Sequence, residues 1–137
     1  MTETQVAPEP EKGILSLTKK SLSMAEEYDV FDDQIIMHIN SVFADLTQLG
    51  VGPVDGFEIE DDTAKWSDFL GTDKRLNGAK SYMYLRVRRL FDPPQVGFVL
   101  TAMDAEIEKW EWRLNVAVDT QPLTTTTDPT VTDVVIT

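Results

Sequence analysis

Apolar residues recur at helical spacing in three long stretches of the chain, and the polar positions between them mark where each helix should begin and end. From Tyr28 to Leu49, Phe31, Ile35, Ile39, Val42, Leu46 and Leu49 fall at intervals of four and three, one apolar helical face. Ile36 and Phe43 widen that face. Asp29 is placed to cap this helix, Asp32 and Asp33 suit the positive end of its dipole, and Gly50 supplies the stop. Thr72 to Phe91 forms a second long helix with a core stripe of Leu76, Ala79, Met83, Val87 and Leu90. Gln95 to Val118 is the third, with Val96, Leu100, Met103, Ile107, Trp110 and Leu114 along one side. Its opposite side is also apolar, because Phe98, Ala105, Trp112 and Val116 recur there at near-heptad intervals. A helix in a small bundle needs one apolar face. Two faces mean that this helix is central in its own domain or meets another subunit, and with three long helices the subunit contact is favoured.

Shorter elements and connections complete the body. Ile14, Leu15, Leu17, Leu22 and Met24 describe a short first helix, and Trp66, Phe69 and Leu70 a single turn closing one end of the bundle, ended by Gly71. Gly50-Val51-Gly52-Pro53 is a turn. Val54 to Thr63 is an acidic loop anchored by Phe57 and Ile59. Asp92-Pro93-Pro94 stops the second long helix, since proline lacks the donor and biases its predecessor away from helical geometry. The same prolines suit the first turn of the third. The expected class is therefore all-α: a small bundle of three long helices plus short ones, spanning residues 14–118. A polar N-terminal arm (1–13) and an extended C-terminal tail (119–137) flank it. In the tail, Val131 to Ile136 is β-prone, and a lone strand has no partner in a helical domain. Strand addition to a partner's sheet is the expected mode, with Val131, Val134, Val135 and Ile136 making the contact.

Charge narrows the function. A net charge of -12 over 137 residues and a pI near 4.3 oppose a domain whose task is to grip nucleic acid. They suit a protein kept soluble at high concentration, or one that DNA should slide past. The chain has no cysteine, hence no disulfide, thiolate nucleophile or cysteine-based zinc site. Its first residues show neither the basic start nor the apolar run of a signal peptide, and no stretch is apolar for long enough to span a bilayer. A cytosol-like setting is expected. Chemistry is sparse. His38, the single histidine, sits at the edge of a core face. Ser41 and Ser81 lack a nucleophile motif, and Glu108 with Glu111 lacks the Glu-x-x-His partners of a carboxylate-bridged metal bundle. The acidic loop lacks calcium-loop spacing, and no glycine-rich phosphate loop occurs. No catalysis, metal or cofactor is expected.

Positive charge is concentrated at Leu85 to Pro94, which holds three arginines. At about 100° per residue, Arg75, Tyr82, Arg86 and Arg89 align in a stripe beside the core face, with Lys74, Lys80 and Arg88 nearby. Three readings stand open: a solvated face, pairing with the acidic surface of a neighbouring copy, or contact with DNA phosphates.

Several of these segments carry a family resemblance. Phe31-Asp32, Ile35-Ile36-x-His38-Ile39-Asn40-Ser41-x-Phe43 and Leu46-x-Gln48-Leu49-Gly50-Val51-Gly52 resemble the phage head-to-tail connector (adaptor, or head completion) family. So do Trp66-x-Asp68-Phe69-Leu70, Leu85-Arg86-Val87-Arg88-x-Leu90-Phe91-Asp92-Pro93-Pro94 and Glu111-Trp112-Arg113-Leu114. The similarity runs from about Ile14 to Val116, and its most distinctive part is Phe-Asp-Pro-Pro followed by Glu-Trp-Arg-Leu. It implies a structural, non-enzymatic protein at the head–tail interface of a virion, assembled in the host cytoplasm. Such proteins form a ring of copies under the portal, usually twelve-fold, extend the DNA channel without sequence-specific binding, and dock a head-closure or tail-completion protein. Under it, the expected subunit contacts are Arg75, Arg86, Arg88, Arg89, Phe98, Trp112 and Arg113, and the tail docks on portal. The rival reading is a DNA-binding packaging or regulatory factor using the basic helix 74–89.

Overall fold

The computed structural model describes residues 10–119. Among them every regular element is helical: α1 (Ile14–Ser21), α2 (Asp32–Gln48), α3 (Trp66–Leu70), α4 (Gly78–Phe91) and α5 (Gly97–Asp119). The expected all-α bundle is the one observed. Residues 131–136, the proposed strand of the tail, lie outside the described residues.

Helix α4 is the middle element, packing on both α2 and α5. Both neighbours run antiparallel to it. Phe31 meets Phe91 (5.3 Å between ring centroids) while Asp45 meets Arg86 further along. Against α5, Arg89 pairs with Asp104, and Tyr82 with Glu111. Helices α2 and α5 therefore run in the same direction, and their C-terminal ends meet where Gly50 approaches Val118.

The apolar face of α2 is buried as its spacing requires: Ile35, Ile39, Val42, Phe43 and Leu46 have no exposed surface. Its end is a Schellman motif. The Val51 N–H donates to the Leu46 carbonyl (2.9 Å) and the Gly50 N–H to that of Thr47 (3.0 Å). Gly50 stands at φ 87°, a conformation that glycine adopts without a Cβ penalty. The start differs from expectation. Helical geometry begins at Asp32, the preceding Phe31 gives no side-chain cap, and Asp29 accepts from the Asp32 N–H through its backbone carbonyl. A tertiary contact anchors this end instead: the buried ammonium of Lys19 in α1 pairs with Asp32 at 2.8 Å and donates to the Glu26 carbonyl at 2.7 Å.

The second long helix is shorter than the apolar spacing indicates. Residues 72–77 form a turn and a 3-10 segment, Lys74–Leu76, and α4 starts at Gly78. Asp73 causes the break, because its carboxylate accepts from the Arg75 N–H (3.0 Å), a local bond that competes with helix. Gly78 is also where α5 crosses closely: a Cβ there would lie 2.6 Å from the Trp110 ring. At the other end Leu90 is 45 % exposed, against its expected core position. The stripe continues from Val87 to Phe91 instead, an i+4 step that remains on the face, and Phe91 packs on Phe31. Asp92 ends α4, but Pro93 and Pro94 lie in the link rather than in the first turn of α5. It is the Val96 carbonyl that opens α5, accepting from the N–H groups of Val99 and Leu100 (both 3.1 Å).

The loop from Val54 to Thr63 is fastened at three points. Phe57 stacks edge-on against Phe43 and Phe69 (5.0 and 5.2 Å). The Asn40 amide brackets the backbone of Ile59, accepting from its N–H at 2.8 Å and donating to its carbonyl at 3.0 Å. Asp62 accepts from both the N–H and the hydroxyl of Ser16, so a loop carboxylate occupies the positive end of α1. Trp66 and Phe69 of α3 complete this aromatic end of the core, as expected.

Candidate assembly surface

Two faces of the α4–α5 hairpin concern function: the basic side of α4 and the outer side of α5. Each arginine on the basic side has a partner within the chain. Arg86 forms an ion pair with Asp45 of α2 (2.8 Å) and donates to the Tyr82 hydroxyl (2.5 Å), which in turn donates to Glu111 of α5 (2.7 Å). This relay joins the three long helices. Burial, followed by the bond to the Glu111 carboxylate, pushes the Tyr82 phenol up to about 12, because both disfavour a phenolate there. Burial alone would lower the Arg86 guanidinium, but hydrogen bonds to Asp45 and Tyr82 outweigh it and the net direction is upward. Arg89 pairs with Asp104 across the hairpin (2.9 Å), and Arg88 donates to the Asp92 carbonyl (2.9 Å) at the helix end. Arg75 is in the 3-10 turn, folded back on Asp73 at 3.1 Å. Lys74 and Lys80 remain at the edge of a cleft of about 250 Å³ floored by Trp66 and Leu70. The aligned stripe thus resolves into separate internal pairs. Of the two carboxylates that hold its centre, Asp45 was not singled out from the sequence and Glu111 was weighed only beside Glu108 and within the family motif; the helix register that brings them to Arg86 and Tyr82 is a tertiary property.

The outer side of α5 is the opposite case. Its inner side packs on the body through Met103, Ile107, Trp110, Leu114, Ala117 and Val118. Facing away, Phe98, Ala102, Ala105, Lys109, Trp112 and Val116 follow the 4-3 spacing of a helix-packing row, and all are exposed. Phe98 is 78 % exposed and Trp112 67 %. Arg113 stacks over the Trp110 ring at 5.1 Å, next to Trp112. Phe98, Trp112 and Arg113 are therefore at the surface, whereas the side chain of Arg86 is only 19 % exposed.

No group of three or more His, Asp or Glu side chains is placed to hold a metal ion among the described residues, and no described helix is long and apolar enough to cross a membrane. His38 lies beside Phe91 (6.4 Å), and its Nε2 is buried without a hydrogen-bond partner.

Residues 14–121 match the family described as phage connector protein, a match that takes in all five helices. The chain belongs to the phage connector family. Comparisons with curated proteins and with solved structures gave no match. Membership makes this a structural protein that works in assembly with other phage head and tail proteins, at the neck of the virion. For a connector, the surface that matters is the one that meets its neighbours.

Proposed function

We propose that the protein is the head-to-tail adaptor of a tailed phage, forming a ring beneath the portal, extending the DNA channel and docking the next neck or tail protein. The observation that carries the ring is the outer row of α5, with Phe98 and Trp112 held in solvent on a helix whose other side is anchored. Large aromatics at such positions dominate association once they are desolvated. The acidic balance of the chain suits a channel that DNA traverses without adhering. Because Arg75, Arg86, Arg88 and Arg89 are engaged within the subunit, the ring contact narrows to Phe98, Trp112 and Arg113. The same pairings weigh against DNA binding through residues 74–89, since a free basic face is what phosphate contact requires.

Electron microscopy and mass measurement of the purified protein, alone and with its portal, test this reading. The wild type forms rings, on its own or templated by portal, and Trp112→Ala weakens their formation by roughly thirtyfold per contact. Absence of any ring in both samples, or rings indifferent to Trp112→Ala, overturns it.

A further inference from the structure

The face that receives α5 is on α2. We infer that the outer row of α5 in one copy seats on the outer face of α2 in the next copy, with Trp112 entering the groove between α2 and the acidic loop. This rests on the ring reading above and names its second surface.

Four features of the subunit lead there. First, α2 carries an exposed row of its own. Gln34, Met37, Ser41, Ala44 and Gln48, with Val30 in the turn before them, keep the 4-3 spacing and are all exposed. None is charged, in a chain of net charge -12. Copies that repel one another overall can approach where charge is missing, and this is such a place. Second, the two rows match in length and direction. Each covers the same number of residues, from Val30 to Gln48 and from Phe98 to Val116; the second is about 27 Å of helix, and the first adds the turn at Val30 to about 24 Å of helix. Helices α2 and α5 run in the same direction, so a rotation about an axis along the helices brings α5 of one copy beside α2 of another in parallel. Distinct patches on two different helices make a heterologous contact, the kind that closes rings.

Third, sizes match over the middle of the rows when they are laid in register. Trp112 falls opposite Ala44, and Ala105 opposite Met37, a bulky side chain against a small one in each case. Fourth, a groove of about 580 Å³ opens at the Ala44 end, lined by Asn40, Thr47 and Phe57 and by the carboxylates Asp55 and Glu58. Trp112 has the exposed Arg113 beside it on α5. An indole beside a cation meets a groove with two carboxylates in its lining, a complementarity that selects this partner and orients it.

Cysteine cross-linking tests the contact without background, because the chain has no native cysteine. Ala105→Cys and Met37→Cys variants are made separately, mixed with portal present, assembled and oxidised. The mixture yields disulfide-linked dimers containing one chain of each kind, and neither variant does so alone. Dimers of Ala105→Cys by itself reveal an α5-to-α5 contact and overturn the inference. Rings without a mixed link overturn it too, while leaving the ring reading intact; no rings from the wild type defeat both. A second variant, Ala44→Glu, changes an exposed residue and retains the fold. It weakens assembly by roughly thirtyfold or more, as Trp112→Ala does, and assembly at the wild-type level would count decisively against the groove.

Discussion

The basic side of α4 and the outer side of α5 belong to one hairpin, yet they treat their conspicuous residues in opposite ways. On α4 the charged groups turn inward or along the surface to partners in the same chain: Arg86 to Asp45 and Tyr82, Arg89 to Asp104, Arg88 to the end of its own helix. On α5 the apolar groups Phe98 and Trp112 stay exposed among the described residues. Composition would assign the roles the other way, with cations for contact and aromatics for the core. In an acidic chain, however, carboxylates are plentiful, and a nearby intramolecular one captures Arg86 or Arg89 at lower entropic cost than a second molecule. An aromatic on the far side of a packed helix has no such internal alternative.

That contrast can be broken at Arg86. Arg86→Glu places a third carboxylate beside Asp45 and Glu111 in a half-buried site, and unfolding in urea should show a loss of about 3 kcal/mol. An unchanged midpoint would mean that the relay contributes nothing and that Arg86 is available to partners after all.

The next effect is a pH dependence centred on Tyr82. Its phenol is raised to about 12 in the folded chain and titrates near 10 when unfolded. The unfolded chain therefore releases the proton first. The contribution is complete below about pH 10 and is lost as pH rises toward 12, on the order of 2 kcal/mol. Tyr82→Phe should flatten that part of the stability curve relative to the wild type. A mutant curve that falls just as steeply would place the alkaline loss elsewhere.

Smallest of all are the stability changes at exposed positions. Arg75→Ala removes only the exposed pair with Asp73 and should shift stability by no more than about 0.5 kcal/mol. Trp112→Ala should likewise move the urea midpoint by less than about 0.5 kcal/mol while impairing assembly. If Trp112→Ala unfolds the subunit, its ring is part of the core and the distinction between the two faces fails.

Much of the fold was legible in the residues. The 4-3 periodicity of Ile35 to Leu46, the Gly50 stop, the Trp66–Leu70 turn, the Asp92 break and the two-sided pattern of the last helix all depend on local spacing and backbone preference, which a single chain displays. The boundaries that moved did so through contacts distant in sequence or through local competition. Lys19 anchors Asp32, Asp73 unwinds the segment before Gly78, and Val96 opens α5 in place of the prolines. For the candidate site, the second apolar face was visible because periodicity reveals it. The outer row of α2 was not, since Gln34, Ser41 and Gln48 carry no apolar signal and stand out only by lacking charge on an exposed face.

By itself, then, the order of residues determined a helical body, its acidic character and an α5 with two apolar sides, because these follow from periodicity and composition. Only the tertiary structure decided which side of α5 is covered, that the arginine stripe dissolves into internal pairs, and that α2 and α5 run in the same direction against α4. Register between helices sets all three, and register depends on how side chains from distant segments pack together.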